Sequence, residues 1–149
     1  MTPNQKLSEA LAVLATYDAA TVVASTVTTG WVSAQSFLAF LAIIATGVMG
    51  AAGTIDAKVQ QATDNAGTGA KDVTGAAIVQ ILKAAGDNKQ ALINFRGQDL
   101  DTEGGFGFVR VSITVGTAAS IVGATLLGGF PRYAPANALN QAGVVQVVN

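Results

Sequence analysis

Phe108-Val109-Arg110-Val111-Ser112-Ile113-Thr114-Val115 alternates without a break. Val109, Val111, Ile113 and Val115 fall on one side of an extended chain, and Phe108, Arg110, Ser112 and Thr114 on the other. Successive side chains of a strand point to opposite faces, so this stretch reads as a strand with one dry face and one polar face. Such a strand belongs to an antiparallel sheet whose outer side meets solvent or a partner. Working outward, Ile121 to Leu127 is a further apolar strand, and Ala91, Ile93 and Phe95 share a face opposite Leu92, Asn94 and Arg96. Ile55 to Thr63 alternates in the same way, with Ile55, Ala57 and Val59 against Asp56, Lys58 and Gln60. Phe37 to Met49 is apolar on both faces, as a central sandwich strand is. Thr21 to Val32 is rich in Val and Thr, whose branched side chains suit a pleated surface, with Thr28-Thr29-Gly30 as a turn.

Turn chemistry separates these runs at Gly47 to Gly53, Asp64 to Gly69, Gly86-Asp87-Asn88 and Gly97 to Gly105. Short strands at turn-marked spacing predict an all-β fold: an antiparallel β-sandwich, jelly-roll-like, with extended N- and C-terminal arms. Ala76 to Lys83 fits either a strand or two helical turns. Leu7, Ala10, Leu11 and Leu14 have helical spacing, so residues 1–16 are expected as an N-terminal arm or short helix, followed by a sandwich domain over residues 17–130. Pro131 and Pro135 stop ladder pairing and open a C-terminal arm over residues 131–149. Its apolar end, Val144, Val145, Val147 and Val148, either docks on its own domain or adds to a neighbour's sheet edge.

The 149 residues suffice for one domain. Half are hydrophobic and only 11% charged, against about 25% in ordinary soluble domains. A charge-poor surface associates in water, which favours a subunit of an assembly. There is no His and no Cys, so imidazole bases, thiolates, disulfides and standard zinc sites are excluded, and no cofactor is expected. A net charge of -1 argues against direct nucleic-acid binding. The uncharged stretches Phe37–Gly53 and Val111–Phe130 approach the length of a membrane-spanning helix. Both are broken by Thr, Ser and Gly, and neither has a flanking cluster of cations, so no membrane association is expected and a two-span membrane protein is only an alternative. Glu9 interrupts the first apolar run and only Lys6 precedes it, so no export signal is expected.

Few motifs carry chemistry. Asp99-Leu100-Asp101-Thr102-Glu103-Gly104 resembles the start of a calcium loop, but its twelfth position is Arg110 where a bidentate Glu is needed. Gly67-Thr68-Gly69-Ala70-Lys71-Asp72 lacks the opening Gly and the Lys-Ser/Thr pair of a phosphate loop, and Gly104-Gly105-Phe106-Gly107 lacks the following helix that aims amides at an anion. Each is expected to be a turn. Asp56, Asp64, Asp72, Asp99, Asp101 and Glu103 offer many carboxylate pairs for glycosidic chemistry, and nothing selects one. No catalytic, cofactor or metal residue is assigned, and the chain is expected not to be an enzyme. Trp31, Tyr17 and Tyr133 are the candidates for a sugar-stacking platform.

Thr54 to Thr74 (TIDAKVQQATDNAGTGAKDVT) and Pro131-Arg132-Tyr133 are the most recognisable parts of a pattern running over about residues 17 to 136. The pattern includes FLAFLAIIATGVMG, DNKQALINFRGQDLD, GFGFVRVSITVGTA and GGFPRYAPA, and it resembles small structural proteins of tailed bacteriophages and prophages. That resemblance implies a capsid cement (decoration) protein with a jelly-roll-like fold. It implies a non-enzymatic virion component on the outer capsid surface, made in the bacterial host cytoplasm. The expected partners are the major capsid protein and the chain itself, as dimer or trimer. A tail or head-fibre glycan-binding module is the alternative.

Overall fold

The computed structural model describes residues 3–148; Met1, Thr2 and Asn149, the ends of the two expected arms, lie outside the described residues. Two antiparallel sheets face each other across a hydrophobic layer. The strands are β1 (Leu11–Val22), β2 (Ser25–Thr28), β3 (Val32–Ser33), β4 (Phe37–Met49), β5 (Thr54–Ala62), β6 (Lys71–Ala77), β7 (Ile81–Leu82), β8 (Gln90–Arg96), β9 (Phe108–Gly116) and β10 (Ser120–Pro131). One sheet has the order β1-β10-β4-β8, and the other β2-β9-β5-β6, with β3 pairing β9 and β7 pairing β5. Four strands on each main path, with the chain crossing repeatedly between sheets, form the two Greek keys of a jelly roll. The strand order itself identifies the fold.

The decisive stretch of the sequence lies at the centre of the second sheet. Val109, Val111, Ile113 and Val115 are buried, and β9 pairs with β5 from Thr54↔Gly116 to Ala62↔Phe108. In the first sheet β4 runs over the expected residues and sits between β10 and β8. Its inward residues Phe40, Ala42 and Ile44 meet Ile93, Phe95, Val122 and Leu126 in one cluster, where the Phe40 and Phe95 rings stack at 4.9 Å. Burying such side chains contributes about 1.5–3 kcal/mol each. Gly128 is required here: a Cβ on it would lie 2.7 Å from the Phe37 ring, which is almost wholly buried.

The boundaries differ from expectation at several places. Helix is confined near the N-terminus to the single turn Leu7–Ala10, and residues 11–16, expected in the arm, already belong to β1. Pairing with β10 over Leu11↔Gly129 to Val22↔Ser120 outweighs the weak helical spacing, because a single turn gains too few hydrogen bonds to offset nucleation. The ambiguous run from Ala76 splits into the end of β6, the short β7 and the single helical turn Lys83–Gly86. Strand β6 also includes Lys71 and Asp72, read from sequence as the end of a turn; Val73 and Ala76 are its buried residues. Phe37–Gly53 and Val111–Phe130, the stretches weighed as membrane spans, contain β4 and β9–β10 respectively. No described helix is long and apolar enough to cross a membrane.

Candidate interaction surface

The two outer faces of the sandwich have opposite chemistry. On the β2-β9-β5-β6 sheet, the polar positions of β5 are satisfied by side chains of β9, of β6 and of the segment after β6. Arg110 Nε donates to Gln60 Oε1 at 2.9 Å, Lys58 Nζ pairs with Asp72 at 2.8 Å, Gln60 Nε2 reaches the same carboxylate at 3.2 Å, and Gln80 donates to Asp56 at 2.7 Å. The Lys58 ammonium, followed by the Gln60 amide, holds the Asp72 carboxyl below its usual value of 3.8. This face presents a hydrogen-bonded lattice suited to water.

The outer face of the β1-β10-β4-β8 sheet is apolar. Strand β4 alternates buried residues with partly exposed Ala39, Leu41, Ile43 and Ala45. Register lays cross-strand rows over it: Val13, Leu127, Leu41 and Asn94, then Thr16, Thr125, Ile43 and Leu92. Leu92 is 59% exposed, and Ile121 and Val48 are exposed as well. Among these rows the charge sits at the rim, with Arg96 at the end of β8 and Asp18 beside Thr16 on β1. Sequence reading of Phe37–Met49 as doubly apolar was correct about the residues, but no second layer of described residues covers the outward half. Exposed apolar patches of this kind mark interaction sites.

The C-terminal segment closes one edge of this sheet. Asn140 Oδ1 accepts the Val13 N–H and the Gln141 N–H donates to the Val13 carbonyl, both at 2.8 Å, while Gln141 Nε2 donates to Thr16 Oγ1 at 3.1 Å. Ala136 is fully buried in the 3₁₀ turn Ala136–Leu139. The segment is therefore docked on its own domain through Gln141. Beyond it, Val145 is 95% and Val148 84% exposed.

At the end of the sandwich where β4 begins and β8 and β10 finish, an open groove of about 970 Å³ is bordered by the loop after β8. Leu38, Phe130, Arg96 and Arg132 line it, with Gln98 and Phe106 on the loop side. Nothing in the sequence pattern pointed to this groove, because its walls come from four separate segments.

The motifs singled out by sequence turn out to be local structure. In the acidic cluster, Asp99 Oδ2 accepts the Arg96 N–H at 2.7 Å, and Asp101 pairs with Lys71 at 2.6 Å and accepts the Gly104 N–H at 2.9 Å. The Lys71 ammonium draws the Asp101 carboxyl below its usual range. Among the described residues, no group of three or more acidic side chains is placed to hold a metal. The segment expected as a turn at Asp64 to Gly69 is one: Asp64 accepts the Thr68 hydroxyl at 2.6 Å and the N–H groups of Ala66 and Thr68, which lowers its pKa. Gly67 adopts φ +85 in that turn, and a Cβ there would meet Trp31 Nε1 at 2.6 Å. The Arg110 guanidinium lies 4.4 Å from the Trp31 ring centroid, occupying an aromatic face. Tyr17 packs against the core from β1, and Tyr133 is exposed beyond β10. Trp31 lies in the connection between β2 and β3, against Arg110 of the second sheet, while Tyr17 is on β1 of the first, so these two share no platform.

No protein-family model matches the chain, and no curated protein matches it in sequence. Several solved structures share its general shape. One is a chain of Broad Bean Stain Virus, at 9% identity and TM-score 0.41 over 75% of this chain; the match spans 60% of that chain's length. The SPBc2 prophage-derived protein YomS is similar at 11% identity and TM-score 0.42, over 79% of this chain and 93% of that one. The CBM22-2 xylan-binding domain of Paenibacillus barcinonensis Xyn10C is similar at 11% identity and TM-score 0.41, over 76% and 88%. Viral and carbohydrate-binding proteins occur side by side at this level of likeness, so the functional reading has to come from the surface itself.

Proposed function

We propose that this chain is a non-enzymatic structural protein of a tailed-phage virion. It cements or decorates the capsid by laying the outer face of the β1-β10-β4-β8 sheet against neighbouring major capsid subunits. The observation that carries this reading is the apolar, charge-poor face centred on Leu41, Ile43, Leu92 and Leu127. Covering it removes apolar surface from water at about 25 cal/mol per Å², and few polar groups lose hydration in return. Its hydrogen-bonded counterpart on the opposite sheet remains toward solvent, as suits a protein on the outer surface of a shell. The resemblance of Thr54 to Thr74 and Pro131-Arg132-Tyr133 to small phage structural proteins supports the same reading.

Self-association as a dimer or trimer across a symmetry axis completes the proposal. The C-terminal arm contributes through its exposed Val145 and Val148, which reach a neighbour after the docked part has passed Gln141. Many weakly held copies on one shell bind more firmly together than singly. A glycan-binding fibre module has less support, because Arg110 occupies a face of Trp31. The test is removal and add-back on purified particles. Stripped particles are expected to lose resistance to heat and internal DNA pressure and to regain it with added protein. Unchanged resistance after complete stripping overturns the cement role.

A further inference from the structure

We propose that the groove at the end of the sandwich binds an acidic, leucine-bearing polypeptide segment of a partner protein. Two of the three arginines, Arg96 and Arg132, line it. Among the described residues, neither forms an ion pair, whereas Lys58, Lys71 and Lys83 are each matched to an aspartate. Asp99, the acidic residue in the lining, spends one oxygen on the Arg96 backbone N–H. Arg132 lines the groove with its own N–H fixed to the Ser36 carbonyl at 2.9 Å, which anchors its backbone there. Two guanidinium forks in one concavity match carboxylates, each able to accept a bidentate pair of hydrogen bonds.

The apolar lining selects a peptide over an acidic sugar. Leu38 and Phe130 are 51% and 62% exposed and border both this groove and an adjacent aliphatic pocket of about 330 Å³, lined also by Leu11 and Pro131. That pocket suits a branched aliphatic side chain, while a pyranose ring would need a flat aromatic platform. Of the other rings in the lining, Phe106 already carries the Lys71 ammonium 4.1 Å from its centroid, and Phe40 and Phe95 are buried and stacked on each other. Phe130 is held at φ +52, a left-handed backbone that non-glycine residues seldom take, and it directly precedes a proline, where extended backbone is favoured. A large apolar side chain kept exposed in a strained conformation is a mark of a binding site. The partner's acidic residue would face Arg96 and Arg132 while its leucine lies against Leu38 and Phe130.

This site goes beyond the sheet face of the capsid reading, and its test reads peptide binding alone, so either can fail without the other. The probe is a fluorescein-labelled peptide alternating Glu with Leu, titrated with the full chain by fluorescence anisotropy. The controls are the same peptide with Lys for Glu, and polygalacturonate as competitor. Saturable binding of the acidic peptide is expected, weakening with salt, with R96Q and R132Q each reducing affinity about tenfold. Phe130→Gly, which relieves the backbone, is expected to weaken binding while circular dichroism and melting temperature show a retained fold. Absence of saturable binding, equal binding of the Lys peptide, or full affinity in both arginine variants overturns the assignment. Polygalacturonate binding more tightly than the peptide overturns it in favour of an acidic glycan.

Discussion

Strands β4 and β5 are neighbours in sequence, both well alternated, and they leave the molecule facing opposite worlds. The outward residues of β5 are Thr54, Asp56, Lys58 and Gln60, each able to bond to water or to the next strand. Those of β4 are Ala39, Leu41, Ile43 and Ala45. Inward, the two strands are alike, both contributing buried aliphatic residues to one core. The fold therefore needs only half of what β4 supplies. The outer half stays partly exposed, an apolar face that costs solubility unless something covers it.

Substitutions can take the two faces apart. The largest effect is expected in the layer they share: Phe95→Ala empties the stack on Phe40 and should cost about 3–5 kcal/mol, seen as a lower denaturation midpoint. Next, Leu41→Asp with Ile43→Asp should abolish binding to capsid shells in co-sedimentation while the melting temperature changes little, because both side chains point away from the core. If binding survives this double change, the face is not the contact. A matched Thr114→Asp on the opposite sheet should leave binding intact. Asn140→Ala removes the acceptor for the Val13 N–H and should cost about 0.5–1.5 kcal/mol, with faster amide exchange at Val13. Smallest is Asp72→Asn: the Lys58 pair is exposed, so its loss should cost at most about 1 kcal/mol.

Acid sharpens the same contrast. Asp64, Asp72, Asp87 and Asp101 all have carboxyls held below 3.8, by Thr68, Lys58, Lys83 and Lys71 respectively as the leading partners. A group with a lowered folded pKa contributes stability that is complete above its unfolded value and is lost as pH falls through the folded one. Melting temperature should thus be flat from neutrality to about pH 5 and fall below about pH 4. Affinity for the shell should hold across the upper range, since the apolar face carries no titrating group at its centre. A steep loss of binding between pH 7 and 5 would mean that charge, not apolar area, holds the contact.

Much of this architecture was legible in the residues. Period-2 alternation located β5 and β9, a run of paired apolar residues located β4, and Asp64 to Gly69 announced its own turn. These are local signals: which way a side chain points along a strand depends only on its neighbours in the chain. The absence of His and Cys likewise removed whole classes of chemistry without any coordinates. Strand β6 escaped because Gly75 at φ +78 interrupts it, shifting the register against β5 between Lys58 and Gln60. Helical spacing at Leu7 to Leu14 misled for the opposite reason, since the pairing partner that overrides it lies more than a hundred residues away in β10.

Periodicity says that a strand has two faces; it cannot say what lies opposite each. The doubly apolar β4 was equally consistent with a strand buried on both sides. Only the jelly-roll strand order, which stacks the two sheets on one side of β4 and leaves its other side partly exposed, turned that apolar run into a surface. The groove of Arg96, Arg132, Leu38 and Phe130 is a matter of three dimensions for the same reason, being made where distant strand ends meet. Local chemistry dictated the strands, and long-range pairing decided which of their faces the protein offers to others.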